Sequence, residues 1–264
     1  MLNIRRTAVS VKHALQMVRI YKNWPAAFAN RVRRAENPAK SVVYRLRGGP
    51  RFEMDCGPHG VKAINAVWAQ RIYEPNEDFR PRRGWTVLDL GAHKGSFTIR
   101  AALVADRVVA VEPAPYNVSR LRHNLELNGI DNVAVIEGAV GAAHGWIQMR
   151  LDAKHSGVGS ITRDDAKGKD VTDVPVETLE ELLRRAGGPV DLMKMDIEGA
   201  ETDVLSAATP QILRRIHRII LEYHGSRESD ARTVADEIKG LLSGAGFDCT
   251  ILPEVSLILG VLLS

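Results

Sequence analysis

From Gly84 onward, short apolar runs alternate with stretches of helical periodicity, and this alternation limits the fold more than any other feature of the chain. Thr86–Leu90, Arg107–Val111, Val133–Glu137, Asp191–Met195 and Arg218–Glu222 read as strands. Stretches near 95–105, 117–128, 199–207 and 229–244 read as helices between most of them. Parallel strands need a crossover connection, usually a helix. The pattern therefore predicts βαβ units around a mainly parallel sheet with helices on both faces. Phe247–Leu252 and Ser256–Leu263 follow with no helix between them, which predicts a closing antiparallel pair.

Before Gly84 the texture differs. Val11, Ala14, Leu15, Val18 and Tyr21 recur at helical steps, with Lys12, Gln16, Arg19 and Lys22 opposite, so a helix with the first set inward is expected. Val42–Arg47 and Arg51–Asp55 flank Gly48-Gly49-Pro50 as a hairpin, and 61–74 reads as a helix ending near Pro75. Charge divides at the same place. Residues 1–60 hold 12 Lys+Arg against 3 Asp+Glu, whereas the remainder hold 24 against 29. The expected organisation is a basic N-terminal extension over 1–83 and an α/β domain over 84–264. The basic helix could touch an anionic membrane surface or a partner.

At 264 residues, with 45% apolar and 26% charged side chains, the chain can bury a sizeable core and is neither disordered nor coiled coil. Cys56 and Cys249 form no disulfide framework or zinc pattern, which fits a reducing compartment, and a cytoplasmic location is expected. No apolar stretch approaches membrane-spanning length, and Lys12, His13 and Arg19 interrupt any signal-peptide core. A nucleic-acid enzyme would more often carry its basic surface around the active site, so no nucleic-acid partner is expected.

Three strand ends carry chemistry. Val87-Leu88-Asp89-Leu90-Gly91-Ala92-His93-Lys94-Gly95 is a buried strand, a Gly-rich turn and a helix start. It is not G-x-G-x-x-G, because His93 stands at the second glycine. An acid before the turn would repel a pyrophosphate but suits a ligand with an ammonium and no phosphates, such as S-adenosylmethionine. Glu112 ends the next strand 23 residues after Asp89, where a carboxylate can take both hydroxyls of a ribose. In Asp191-Leu192-Met193-Lys194-Met195-Asp196-Ile197-Glu198-Gly199-Ala200-Glu201, period two puts Lys194 and Asp196 on one face. A weaker signal is Glu222-Tyr223-His224, where His224 could serve as a general base.

These residues resemble the FkbM family of S-adenosylmethionine-dependent methyltransferases. The matching runs are V-L-D-L-G-A-H-K-G-S-F-T at 87–98, V-E-P at 111–113, N-L-E-L-N-G at 124–129 and E-G-A-V-G at 137–141. V-E-T-L at 176–179, K-M-D-I-E-G-A-E at 194–201 and E-Y-H at 222–224 complete the set. The family usually has Asn in the turn where this chain has His93 and Lys94. The resemblance implies a class I methyltransferase fold over 84–264: seven mostly parallel strands with one antiparallel strand near the end. It implies that Asp89, Gly91, Ala92 and Gly95 cradle the methionine part of the cofactor, that Glu112 holds the ribose, and that Gly138 and Ala139 lie near the adenine.

The implied reaction is O-methylation of a sugar, glycan or natural-product hydroxyl. Asp196 is the first candidate for the base and His224 the second. Glu198 and Glu201 could share that role or hold a divalent cation such as Mg²⁺, with no metal ligand assigned. Two rivals are a nucleotide-dependent oxidoreductase and a non-catalytic nucleoside-binding module on a similar sheet. Asp89 and the missing G-x-G-x-x-G disfavour the first, and the acids at 196–201 the second.

Overall fold

The structure is a computed structural model that describes residues 15–33, 37–150, 171–225 and 228–263. Residues 15–20 form α1 and Trp24–Arg31 form α2. Strands β1 (Asn37–Arg45) and β2 (Arg51–Cys56) make the expected antiparallel hairpin, with Tyr44 opposite Phe52 and Val42 opposite Met54. Helix α3 (Pro58–Asn65) passes into a π-helical turn, Ala66–Gln70. The helix expected over 61–74 therefore ends early, because Arg71 closes it in the left-handed conformation, with φ of 55°.

The alternating region gives β3 (Thr86–Leu90), α4 (Ser96–Ala102), β4 (Arg107–Glu112), α5 (Pro115–Leu127) and β5 (Val133–Glu137). Short β6 (Ala139–Val140), then β7 (Gly145–Arg150), β8 (Val171–Glu177) and α6 (Leu179–Ala186) follow. The remainder is β9 (Leu192–Met195), α7 (Glu201–Ala207), α8 (Pro210–Leu213), β10 (Arg218–Glu222), α9 (Glu228–Gly244), β11 (Phe247–Leu252) and β12 (Leu257–Leu262).

The main sheet has seven strands in the order β11-β12-β10-β9-β3-β4-β5. Only β12 runs antiparallel, to β10 on one side and β11 on the other. The parallel pairs are β10–β9, β9–β3, β3–β4 and β4–β5. This is the class I methyltransferase arrangement. The order reverses between β9 and β3, and ligands in such sheets bind at the carboxyl ends beside that point.

Period two divides the core. Leu88, Leu90, Val109, Val111, Met193 and Met195 face the side covered by α6 and α9. Val87, Val108, Leu192 and Ile220 face the other side, with Phe79 and Phe97. Burial on both faces is why these strands read as continuous apolar runs. Helix α6 starts with a capping box between Thr178 and Glu181.

A second sheet, β6-β8-β7, was not expected from the sequence. Its core is small: Met149, Val174 and Val176 pack on Ala114 and Ala139. Pro175 inside β8 masks the alternation, since proline argues against a paired strand.

The N-terminal helix differs in its facing. Met17 and Tyr21 are the fully buried pair, whereas Leu15 and Val18 are exposed. Tyr21 bridges to Leu46, and its hydroxyl donates to Asn65 at 2.8 Å, so the helix is rotated about that anchor. Val11, Ala14 and Lys12 lie outside the described residues. Among the described residues, no helix is long and apolar enough to cross a membrane.

Candidate active site at the strand ends

The turn after β3 is built by backbone geometry. Gly91 sits at φ of 78°, and a Cβ there would lie 1.8 Å from the Asp196 carbonyl oxygen. The amides of Gly91 and Ala92 both donate to the Val111 carbonyl, at 3.0 and 2.9 Å. His93 takes φ of 51° and donates its amide to Glu112 Oε2 at 2.8 Å. Gly95 caps α4 in the left-handed conformation, where a Cβ would meet Leu121 at 2.5 Å. The turn thus locks to the neighbouring strand and helix with no room for side chains at either glycine.

Beneath the turn lies a buried charge pair. Asp89 Oδ2 accepts from the Thr98 hydroxyl at 2.6 Å, and Asp89 Oδ1 lies 3.3 Å from Lys194 Nζ. Lys194 also donates to the carbonyls of Gly91 at 2.7 Å and Leu90 at 3.2 Å. Burial opposes its charge, but Asp89 and then Asp196 outweigh it, and the ammonium pKa is raised.

Above this pair opens a cavity of about 410 Å³, within the usual size for a small-molecule site. Its lining includes Gly91, Ala92, Glu112, Gly138 and Ala139, together with Tyr73, Asp196, Glu198 and Glu222. Asp89 and Gly95 do not line it and instead support its floor. Glu112 is buried, with Oε1 accepting from Asn117 Nδ2 at 3.0 Å and the Ala114 amide at 3.1 Å. Burial raises its pKa, and these two bonds, with that from His93, work in the other direction. Three bonds leave a carboxylate with spare acceptor capacity toward the cavity.

The same cavity concentrates acids. The Tyr73 hydroxyl oxygen lies 3.1 Å from Asp196 Oδ2 and 3.0 Å from Glu222 Oε2. One phenol proton cannot serve two ionised carboxylates, so the triplet is set up to share an additional proton. Burial, then the charge of Asp196, raises the pKa of Glu222. Glu198 stands at φ of 56°, and burial raises its pKa too.

Glu201 is buried and spent on its surroundings. Its Oε1 accepts from the amides of Ile197 and Gly199, both at 3.1 Å, and meets His224 Nδ1 at 3.0 Å. His224 Nε2 lies 3.8 Å from Asp196 and 3.6 Å from Glu198. The bond from Glu201 pushes the His224 pKa up to about 9, against burial and with help from the three carboxylates. Asp196, Glu198 and His224 each offer one ligand atom, and these atoms lie within 4.8 Å of one another. Glu201 lies outside that group.

Tyr73 and Glu222 are the members that the sequence reading did not select. Glu222 carried a usable signal, since it ends β10 just as Glu112 ends β4. Tyr73 carried none, because its partners are 123 and 149 residues away.

Residues 89–249 match the family described as the methyltransferase FkbM domain. A curated methyltransferase, sdnD of Sordaria araneosa, is 23% identical over 196 residues, covering 62% of this chain and 74% of that protein. A tRNA/tmRNA (uracil-C(5))-methyltransferase of Vibrio parahaemolyticus is 26% identical over 160 residues, covering 61% of this chain and 41% of that protein. Among solved structures, an FkbM methyltransferase of Methylobacillus flagellatus aligns with a TM-score of 0.48 at 14% identity, over 76% of this chain and 53% of that one.

Proposed function

The chain belongs to the FkbM methyltransferase domain family, and from that premise we propose that its cavity transfers a methyl group from S-adenosylmethionine to a hydroxyl of a sugar, glycan or natural-product acceptor. One observation carries the choice of a hydroxyl. Asp196, Glu222 and Tyr73 form a proton-sharing set that lines the same cavity as Glu112. A hydroxyl must lose a proton as it is methylated, so a site for it needs a nearby acceptor.

The cavity suits the cofactor. Glu112 would accept from ribose hydroxyls with its spare lone pairs, and Gly138 and Ala139 line the same cavity, where they would border an adenine. Asp89 and Gly95 would act from below, by holding Lys194 and the start of α4. The bound cofactor supplies an activated methyl on a sulfonium, which leaves the protein mainly alignment to perform. Asp196 takes the acceptor's proton while the new O–CH₃ bond forms and the S–CH₃ bond breaks. Tyr73 donates to Asp196 and fixes its carboxylate. His224, with its pKa near 9, is an imidazolium at neutral pH and cannot accept a proton there. That ranks it below Asp196 as the base and fits a role in orienting Glu198.

A divalent cation is a second reading, supported by the 4.8 Å grouping of Asp196, Glu198 and His224. It requires His224 to give up its proton, so its affinity would rise with pH. We further place the protein in the cytoplasm, a reading supported by two buried free cysteines, Cys56 and Cys249.

The test is Asp196→Asn assayed with labelled donor on a panel of sugars, glycans, polyketide-like alcohols and RNA. A positioned base is worth about 10²–10⁴ in rate, so turnover should fall by at least the lower factor with cofactor affinity retained. Full turnover in Asp196→Asn, or methyl appearing only in RNA, overturns the reading. Loss of activity in the parent enzyme with chelator selects the cation version.

A further inference from the structure

The N-terminal helices present a surface that methyl transfer does not use. Along α1, Leu15, Val18 and Arg19 fall at steps of three and four and share one stripe, and exposed Lys22 follows in the turn after it. Along α2, Trp24, Phe28, Arg31 and Val32 do the same. Leu15 is 56% exposed, Val18 38%, Trp24 40%, Phe28 36% and Val32 61%. Scattered single apolar residues need no explanation, but these five fall within eighteen consecutive positions joined by a short turn. The opposite stripes are the packed ones, carrying Met17 and Tyr21 from α1 and Ala27 and Asn30 from α2. The exposed stripes are therefore surplus to folding.

Their electrostatics point to the partner. The first 35 residues contain eight Lys+Arg and no Asp or Glu. Arg19, Lys22 and Arg33 are exposed among the apolar side chains. A second copy would bring like charge against like charge. A phosphate backbone would pair with the cations but leave Leu15, Val18 and Val32 in water. An anionic lipid surface satisfies both halves, since headgroup phosphates take the cations while aliphatic and aromatic side chains enter the interfacial layer, where Trp is favoured. We propose that the α1–α2 face docks this enzyme on an anionic lipid bilayer. Helix α2 packs on α3, whose His59 and Lys62 line the cavity. The docked face thus lies about one helix diameter, roughly 10 Å, from the cavity wall. That geometry suits an acceptor presented at a lipid surface.

The experiment is co-sedimentation of the full chain with phosphatidylcholine vesicles, with and without phosphatidylglycerol. The expected result is binding to the anionic vesicles only, weakening as salt rises. Each cation near a charged bilayer is worth about fivefold in partitioning, so Arg19→Gln with Lys22→Gln should weaken binding by roughly 20-fold. Trp24→Ala with Phe28→Ala should weaken it at least tenfold, and Trp24→Phe should remove a blue shift in fluorescence on binding. All four positions are exposed or half-buried, and unchanged S-adenosylhomocysteine affinity shows that each variant is folded. Equal binding to neutral and anionic vesicles, no binding at low salt, or no effect of either double variant overturns the proposal. So does displacement of the protein from vesicles by a short RNA duplex that the same variants fail to bind, which would assign the face to nucleic acid.

Discussion

His224 shows how a single contact sets the charge of a residue. Glu201 bonds its Nδ1, and the imidazole titrates near 9 in the folded protein, against about 6.5 for an unfolded chain. The folded state holds the proton more tightly, so its stabilisation is complete below about 6.5 and is lost as pH rises through about 9. Thermal melts of the parent and His224→Gln should therefore differ most near pH 6 and converge by pH 9.5. A gap of constant size across that range would mean that His224 stabilises by packing alone. Side chains of this kind were only partly legible beforehand. Asp89, Glu112 and Asp196 stand at strand ends, and period-two alternation locates them from local sequence. The state of His224 depends on Glu201, 23 residues away, and the partners of Tyr73 lie 123 and 149 residues away.

The hairpin β1–β2 and the turn after β3 are joined by a buried ion pair. Lys94 Nζ lies 2.7 Å from Asp55 Oδ2, with both side chains almost fully buried. Tyr116 also donates to Asp55. The backbone of β2 is held along its length by α5, where Asn124 accepts from the Glu53 amide at 2.7 Å and Asn128 from the Arg51 amide at 2.8 Å. These bonds give a physical reason for lysine in a turn where the family usually has asparagine: its partner sits on an element outside the matched residues. Removing one partner strands the other charge in the interior, at a cost of about 3–5 kcal/mol. Lys94→Ala and Asp55→Ala should each lower the urea midpoint accordingly, and Lys94→Met with Asp55→Leu should recover much of the loss. If the double variant is as weak as the sum of the singles, the pair is not the source. The hairpin itself was readable from Gly48-Gly49-Pro50. The β7–β8 pair was not, because its few buried residues are interrupted by Pro175. The break between α3 and its π-helical end was also hidden, since periodicity does not distinguish 3.6 residues per turn from a slightly wider one over five positions.

Across the molecule, the basic extension and the α/β body share one apolar interior. Met17, Tyr21, Tyr44, Phe52 and Met54 belong to the same buried cluster as Ala92, Ile99, Ala110 and Leu121. The charge division seen in the sequence is thus a division of surface. We expect one cooperative calorimetric transition for the whole chain, and loss of folding when residues 1–57 are deleted. Two resolved transitions, or a folded remainder that still binds S-adenosylhomocysteine, would show that the extension is an independent unit.

The family match begins at residue 89, yet His59, Lys62, Ile72 and Tyr73 line the cavity ahead of it. Inheritance is therefore partitioned within a single pocket. The matched residues carry the glycine turn and the strand-end acids, whereas Tyr73, which contacts Asp196 and Glu222, lies ahead of them. The part of the cavity lining from 59–73 lies outside the matched residues yet is bonded to them, through Tyr73 to Asp196 and Glu222 and through Trp68 to Ser96. A graft of 58–73 between relatives would therefore carry Tyr73 with it, and would change the cavity wall and the contacts to Asp196 and Glu222 in one step.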